Sequence, residues 1–351
     1  MRIPLRRVVG ILGLFLSLGA AASQAGFRTT SVPGVGEAGP GSGAITVALY
    51  YPTQAAERPI PMGLFTVRVA IGAAPEERVK GLILLSHGTG GSEIGHSSLA
   101  EALARDGYLV AALRHPGDNW EDMSLRTQEG GASYFTLRPQ QASRVIDALL
   151  QDPAWKDRIA RDARGPRVGA VGHSAGGYTV MALAGGQPES GRVAAHCAGH
   201  AAEDPVFCGV AGTGSPQAAP AAPAAPAVVA APLPAALADA RVRAVVALAP
   251  LGVVFSEASL SAVAIPTAVY VAEQDTFLVP RFHAGYIAGL VPGDTVRRIA
   301  NANHWAFMDT PSGAIATPDG NIQVDRPGFD RAAFLRQLDG EVPAFFDRVF
   351  P

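Results

Sequence analysis

The chain has 351 residues, 48% hydrophobic and only 17% charged, which supplies one large core and excludes a chain kept disordered by its composition. A formal net charge of -2 offers no broad basic surface, so neither nucleic acid nor an anionic membrane is expected as a partner.

In chain order, residues 1–25 read as a secretory signal peptide. Arg2, Arg6 and Arg7 precede an apolar run, and Ser23-Gln24-Ala25 offers small residues for cleavage before Gly26. The expected product is exported, periplasmic or secreted, and has no stable transmembrane insertion once the leader is gone. Residues 26–43 are Gly-rich, broken by Pro33 and Pro40, and read as an exposed lead-in. Residues 44–350 read as a single domain.

Within it, residues 44–51 and 64–71 have strand character and are expected as antiparallel edge strands. Pro52, Pro59 and Pro61 make the intervening stretch a loop. Residues 81–86 form a strong apolar strand, followed by the loop His87-Gly88-Thr89-Gly90-Gly91-Ser92. A helix over 94–105 and a buried strand over 108–113 follow. Strand, helix, strand in this order marks a parallel sheet covered by crossover helices. Residues 114–131 are turn-rich, with His115 and Asp118 among polar groups that could border a site or form an ordinary surface loop. A helix is expected over 138–151.

Residues 167–171 are short, apolar and preceded by Gly165-Pro166, which suits a buried strand. Gly172-His173-Ser174-Ala175-Gly176 fits G-x-S-x-G, and helix-compatible residues follow from 177 to 184. Strand, sharp turn and helix would expose Ser174 at a helix N-terminus, where free backbone N–H groups favour developing negative charge. The HGTGGS loop lacks the Lys-Ser/Thr ending of a Walker loop and the G-x-G-x-x-G of a dinucleotide site. It lies after an earlier strand, where a loop can donate one oxyanion N–H while Ala175 donates the other. Thr89 is the favoured first donor, with Gly90 the alternative.

Residues 187–240 depart from regular alternation and read as an inserted cap or loop, Ala/Pro-rich over 218–236. Cys197 and Cys208 lie close in sequence there and fit a disulfide in an oxidising compartment. His196 and His200 lack both the glutamate of a zinc-protease helix and a clear third ligand, so no metal is expected. Strands resume over 242–248, 267–272 and 295–300, with a helix over 282–290. A closing helix over 330–350 is expected to break at Pro343.

Ser174, Asp275 and His304 then occur in the order nucleophile, acid, base. His304 would take the serine proton and Asp275 would orient the imidazole. Glu273 is the alternative acid, two residues earlier and further from the loop end of its strand.

The segments SHGTGGS, VGHSAGG, AEQD and NANHWAF resemble bacterial alpha/beta hydrolases described as dienelactone-hydrolase-like or related to platelet-activating-factor acetylhydrolases. The resemblance implies an alpha/beta-hydrolase fold, with a central, mostly parallel sheet flanked by helices. It also implies Ser174 as nucleophile, Asp275 as acid, His304 as base, and the N–H groups of Thr89 and Ala175 as oxyanion donors. Authentic dienelactone hydrolases use cysteine where this chain has Ser174, which argues for another ester. The expected activity is hydrolysis of a small-molecule or lipid-like carboxylic ester with no metal or organic cofactor. An amidase, thioesterase or phospholipase with the same triad, and an inactive binding protein that keeps the pocket, are the alternatives. The sequence carries no signal of oligomeric state.

Overall fold

The computed structural model describes residues 22–36, 39–126, 128–189, 191–212, 237–293 and 295–351. Most of the leader and the whole Ala/Pro-rich stretch 218–236 lie outside the described residues.

The first half contains β1 (Gln24–Val32), β2 (Ile45–Thr53), β3 (Arg58–Met62), β4 (Phe65–Ile71), β5 (Leu82–Ser86), α1 (Ser97–Arg105), β6 (Leu109–Arg114) and α2 (Gln128–Gln151). A small ribbon, β7 (Arg161–Asp162) with β8 (Gly165–Pro166), leads to β9 (Val168–His173) and α3 (Ala175–Leu183). The insertion carries α4 (Arg192–His200) and α5 (Pro205–Gly212). The chain continues with β10 (Val242–Leu248), α6 (Glu257–Ser261), β11 (Thr267–Ala272), α7 (Ala284–Leu290) and β12 (Thr295–Ile299). A second ribbon, β13 (Ala316–Thr317) with β14 (Gly320–Asn321), precedes α8 (Arg331–Val349).

Ten strands form one sheet in the order β12-β11-β10-β9-β5-β6-β2-β1-β4-β3. From β12 to β6 every neighbour is parallel, and antiparallel pairing begins between β6 and β2. The parallel strands inside the edge strand β12 are buried on both faces, which is why they read as largely apolar runs. Alternate residues feed two cores. Leu82 and Leu84 pack with Val145, Ile146 and Tyr178 on one face, whereas Ile83 and Leu85 pack with Leu99, Leu103 and Phe346 on the other. All the parallel strands therefore end on one edge, and their carboxyl-end loops converge there.

Several expectations need correction. The stretch 26–43 is not an exposed lead-in throughout, because β1 lies inside the sheet between β2 and β4. A side chain at Gly26 would come within 2.3 Å of the Tyr51 ring, so glycine is needed by the sheet itself. The Ala25 N–H donates to the Glu57 carboxylate at 2.5 Å. Cleavage before Gly26 would thus remove the first two residues of β1. Residues 58–62 are a strand rather than a loop; β3 pairs only with β4, and an edge strand tolerates Pro59 and Pro61.

The long helix α2 begins ten residues before the expected start at 138 and runs through Pro139. That proline frees the Phe135 carbonyl, and the Tyr178 hydroxyl donates to it at 2.5 Å. α8 likewise continues through Pro343 without the expected interruption. None of the helices among the described residues is long and apolar enough to cross a membrane.

Candidate active site

Ser174 sits in the turn between β9 and α3 with φ 58°, a left-handed conformation in which non-glycine residues are rare and strained. Its N–H donates to the Leu248 carbonyl at 3.0 Å, and its carbonyl accepts from Leu251 and Tyr178, each at 3.0 Å. The flanking glycines have direct steric causes. A Cβ on Gly172 would lie 2.1 Å from the Gly176 carbonyl oxygen, and one on Gly176 would lie 1.9 Å from that of Ser86. The turn is therefore clamped between the ends of β5 and β10.

Ser174 Oγ lies 2.9 Å from His304 Nε2, and His304 Nδ1 lies 2.6 Å from Asp275 Oδ2. Because a carboxylate only accepts, Nδ1 carries the proton and Nε2 faces the serine as an acceptor. The other Asp275 oxygen accepts the N–H groups of Phe277 at 2.9 Å and Leu278 at 2.8 Å. Glu273 is exposed on the preceding turn, so Asp275 is the acid brought to the histidine. Asn303 caps the short 3-10 turn that begins at His304. Phe277 stacks on the imidazole at 4.9 Å and Trp305 meets it edge-on at 4.8 Å.

His173 adds a support that sequence reading did not assign. Its Nε2–H donates to the His304 carbonyl at 2.9 Å, and burial holds it well below the usual histidine range, so it is neutral. His96 packs against it at 5.2 Å, and burial, with a smaller effect from His87, pulls it down to about 3. His87, under the same burial and beside Arg138, is held at about 4.

On the opposite side of Ser174, Gly88 approaches so closely that a Cβ there would lie 3.1 Å from the serine Cβ. The next turn separates the two candidate donors. The Gly90 N–H is committed to Asp118 Oδ1 at 2.9 Å, whereas the Thr89 N–H meets no acceptor among the described residues. The Ala175 N–H opens α3 and is free of the helix ladder. Thr89 and Ala175 thus remain available to an incoming oxygen.

A buried network fixes this loop from beneath. The Arg138 guanidinium, wholly buried, pairs with the equally buried Asp118 and donates to the His87 carbonyl. It also reaches Ser86 Oγ at 3.2 Å and Thr179 Oγ1 at 3.1 Å. The Tyr134 hydroxyl donates to Asp118 at 2.7 Å and lies 2.8 Å from Thr89 Oγ1. Asp118 therefore belongs to the site's scaffold and not to a surface turn. Its partner Arg138 had no distinguishing sequence signal, because a buried arginine in an amphipathic helix looks like a solvated one.

In the insertion, Cys197 and Cys208 are joined by a disulfide with a Cα–Cα distance of 5.4 Å. His196 does find acidic and imidazole neighbours, Asp204 and His283, while His200 stacks on His196 at 5.3 Å and bonds Glu203 at 2.8 Å. This cluster is the one set of potential metal ligands among the described residues. Its hydrogen bonds favour another use. His283 Nδ1 accepts the Gly252 N–H at 3.3 Å, which places the imidazole proton on Nε2, facing Asp204 at 2.8 Å. An imidazole ligating a metal through Nε2 would instead donate from Nδ1 and leave Nε2 bare.

A helix-flanked, mostly parallel sheet, with a strained serine, a histidine and an aspartate meeting at the carboxyl ends of its strands, defines the alpha/beta-hydrolase class. The model of the Alpha/beta hydrolase family matches residues 82–317, and the chain belongs to that family. Its fold is similar to that of a ferulic acid esterase from Streptomyces cinnamoneus, at 18% identity and a TM-score of 0.60, over 95% of this chain and 91% of that one.

Proposed function

We propose that the chain is an exported serine hydrolase that cleaves carboxylic esters through an acyl-enzyme. The observation that carries this reading is the unbroken series Ser174 Oγ, His304 Nε2, His304 Nδ1, Asp275 Oδ2, at 2.9 and 2.6 Å, beside two N–H donors, of Thr89 and Ala175, that meet no acceptor among the described residues. In the proposed cycle His304 takes the Ser174 proton as the oxygen attacks the ester carbonyl. The Thr89 and Ala175 N–H groups stabilise the tetrahedral oxyanion, and protonated His304 then gives its proton to the departing alcohol. Water activated by the same imidazole releases the acid. Each of these steps uses groups of the chain itself, so no metal or organic cofactor is assigned.

The substrate is read as a small-molecule or lipid-like ester. Phe277 and Trp305, half-buried beside His304, together with exposed Trp120 next to the oxyanion loop, suit an apolar or aryl group. The similar fold of a ferulic acid esterase makes aryl esters the first class to try. The finer kinship with dienelactone-hydrolase-like and platelet-activating-factor-acetylhydrolase-related enzymes rests on the four motif segments. Export is supported by the leader's composition and by the disulfide, which is stable in an oxidising compartment.

The test is a panel of short-chain, aryl and phospholipid esters with matched amides and thioesters. Ester turnover exceeding amide turnover at least a hundredfold is expected. Faster turnover of the matched amide or thioester would overturn the assignment.

A further inference from the structure

Among the side chains that tie the α4–α5 segment to the loops around the site, which include Arg192 on the Val253 carbonyl and Glu203 on Arg281, Asp204 is the buried one at the centre of a hydrogen-bonded cluster. Asp204 lies in the turn between α4 and α5, bracketed by the Cys197–Cys208 disulfide, and is wholly buried. Its Oδ2 accepts from His196 Nε2 at 2.9 Å and from His283 Nε2 at 2.8 Å, while its Oδ1 faces the Val279 N–H at 3.4 Å. Burial alone would raise this carboxyl, but the bonds from His283 and His196 outweigh it and hold Asp204 below the usual carboxylate range. His283, wholly buried beside it, is pushed down by burial and stays the neutral donor.

Two lines run from this carboxylate into the site. Through His283 it orients Nδ1 toward the Gly252 N–H, and the adjacent Leu251 N–H holds the Ser174 carbonyl at 3.0 Å. Through Val279 it reaches the turn whose preceding N–H groups, on Phe277 and Leu278, hold Asp275 Oδ1. A Cβ on Gly252 would lie 2.5 Å from the His283 carbonyl oxygen, so there is no slack between these segments.

We infer that Asp204 is a positioning residue for the site: it couples the disulfide-closed α4–α5 segment to the loops carrying Ser174 and Asp275, an inference that rests on the hydrolase reading above. Asp204 touches no reacting atom. It acts by fixing the His283 tautomer and the 275–279 turn, and through them the geometry of the Asp275–His304 pair. The disulfide joins the two helices on either side of the Asp204 turn.

The test compares wild type, Asp204→Asn and Cys197→Ser/Cys208→Ser in ester turnover, with fold checked by circular dichroism. Asparagine has one acceptor oxygen: set toward the two imidazoles, which share Oδ2, it turns an NH2 group against the Val279 N–H, and flipped it turns that group against both imidazoles. Asp204→Asn is expected to lower kcat about tenfold with KM within about twofold, which corresponds to displaced chemistry rather than lost binding. The low-field NMR resonance of the His304 Nδ1–H should shift or broaden. A folded Asp204→Asn protein with wild-type kcat and an unmoved resonance overturns the inference. Should that variant fail to fold, the cysteine pair decides: a lower kcat at constant KM supports the coupling, and unchanged kinetics overturn it. Stoichiometric zinc in purified wild type, with turnover lost on chelation, would make the cluster a metal site and overturn it too. Wild type that neither hydrolyses esters nor reacts with a serine probe overturns the hydrolase reading itself, an outcome distinct from an active enzyme indifferent to Asp204→Asn.

Discussion

Substitution of Asp275 by asparagine should abolish most turnover while leaving the fold intact, through a change of tautomer. One Asp275 oxygen accepts two backbone N–H groups and the other accepts the His304 Nδ1–H. Asparagine has only one acceptor oxygen. Turning its NH2 group toward Phe277 and Leu278 would forfeit two hydrogen bonds, each worth about 1 kcal/mol, and leave buried donors facing one another at a further 1–3 kcal/mol. The amide oxygen therefore stays on the backbone and the NH2 group faces Nδ1. His304 then carries its proton on Nε2, donates it toward Ser174 Oγ and has no lone pair with which to accept the serine proton. The expected loss in kcat/KM is on the order of 10⁴-fold, or about 5.4 kcal/mol of transition-state stabilisation. The assay is hydrolysis of an activated aryl ester, with a urea melt to show that stability has changed little. Glu273→Gln, altered on an exposed side chain, should stay within about twofold of wild type. A folded Asp275→Asn protein retaining more than about a tenth of wild-type kcat/KM would refute the tautomer reasoning.

Two further perturbations address the scaffold. Asp118→Ala strands the buried Arg138 guanidinium and should cost about 3–5 kcal/mol in urea denaturation; a loss under about 1 kcal/mol would show that water or another group replaces the carboxylate. His96 tests pH dependence. The unfolded chain binds its proton near the ordinary histidine value of about 6.5, whereas the folded chain resists down to about 3, so this group removes stability as pH falls through that window. His96→Leu should be within about 1 kcal/mol of wild type at pH 7 and about 2–3 kcal/mol more stable relative to it at pH 4.5. Parallel pH dependences of the two urea midpoints would contradict the assignment.

The central parallel strands were legible because they are largely apolar runs buried on both faces, and the runs at 242–248 and 267–272 coincide with β10 and β11. G-x-S-x-G was legible because its glycines answer local steric demands, made by backbone atoms of the turn and of β5. β1 was missed because the small residues around Gly26 serve the Tyr51 contact in the sheet and resemble a cleavage site equally well. The first turns of α2 were missed because Gly130, Gly131 and Pro139 oppose a helix locally; the Tyr178 hydroxyl that satisfies the freed carbonyl comes from α3. The Arg138–Asp118 pair and the His196–Asp204–His283 cluster were illegible for the same reason. Each joins residues whose proximity exists only after the sheet has formed.

The most direct measurement of the central claim is the intact mass of the purified protein after reaction with an organophosphonate serine probe, run beside Ser174→Ala with both proteins assayed on an aryl ester. The account expects one adduct per wild-type chain, none on folded Ser174→Ala, and turnover lost along with the adduct. Labelling and turnover that survive the substitution would contradict it.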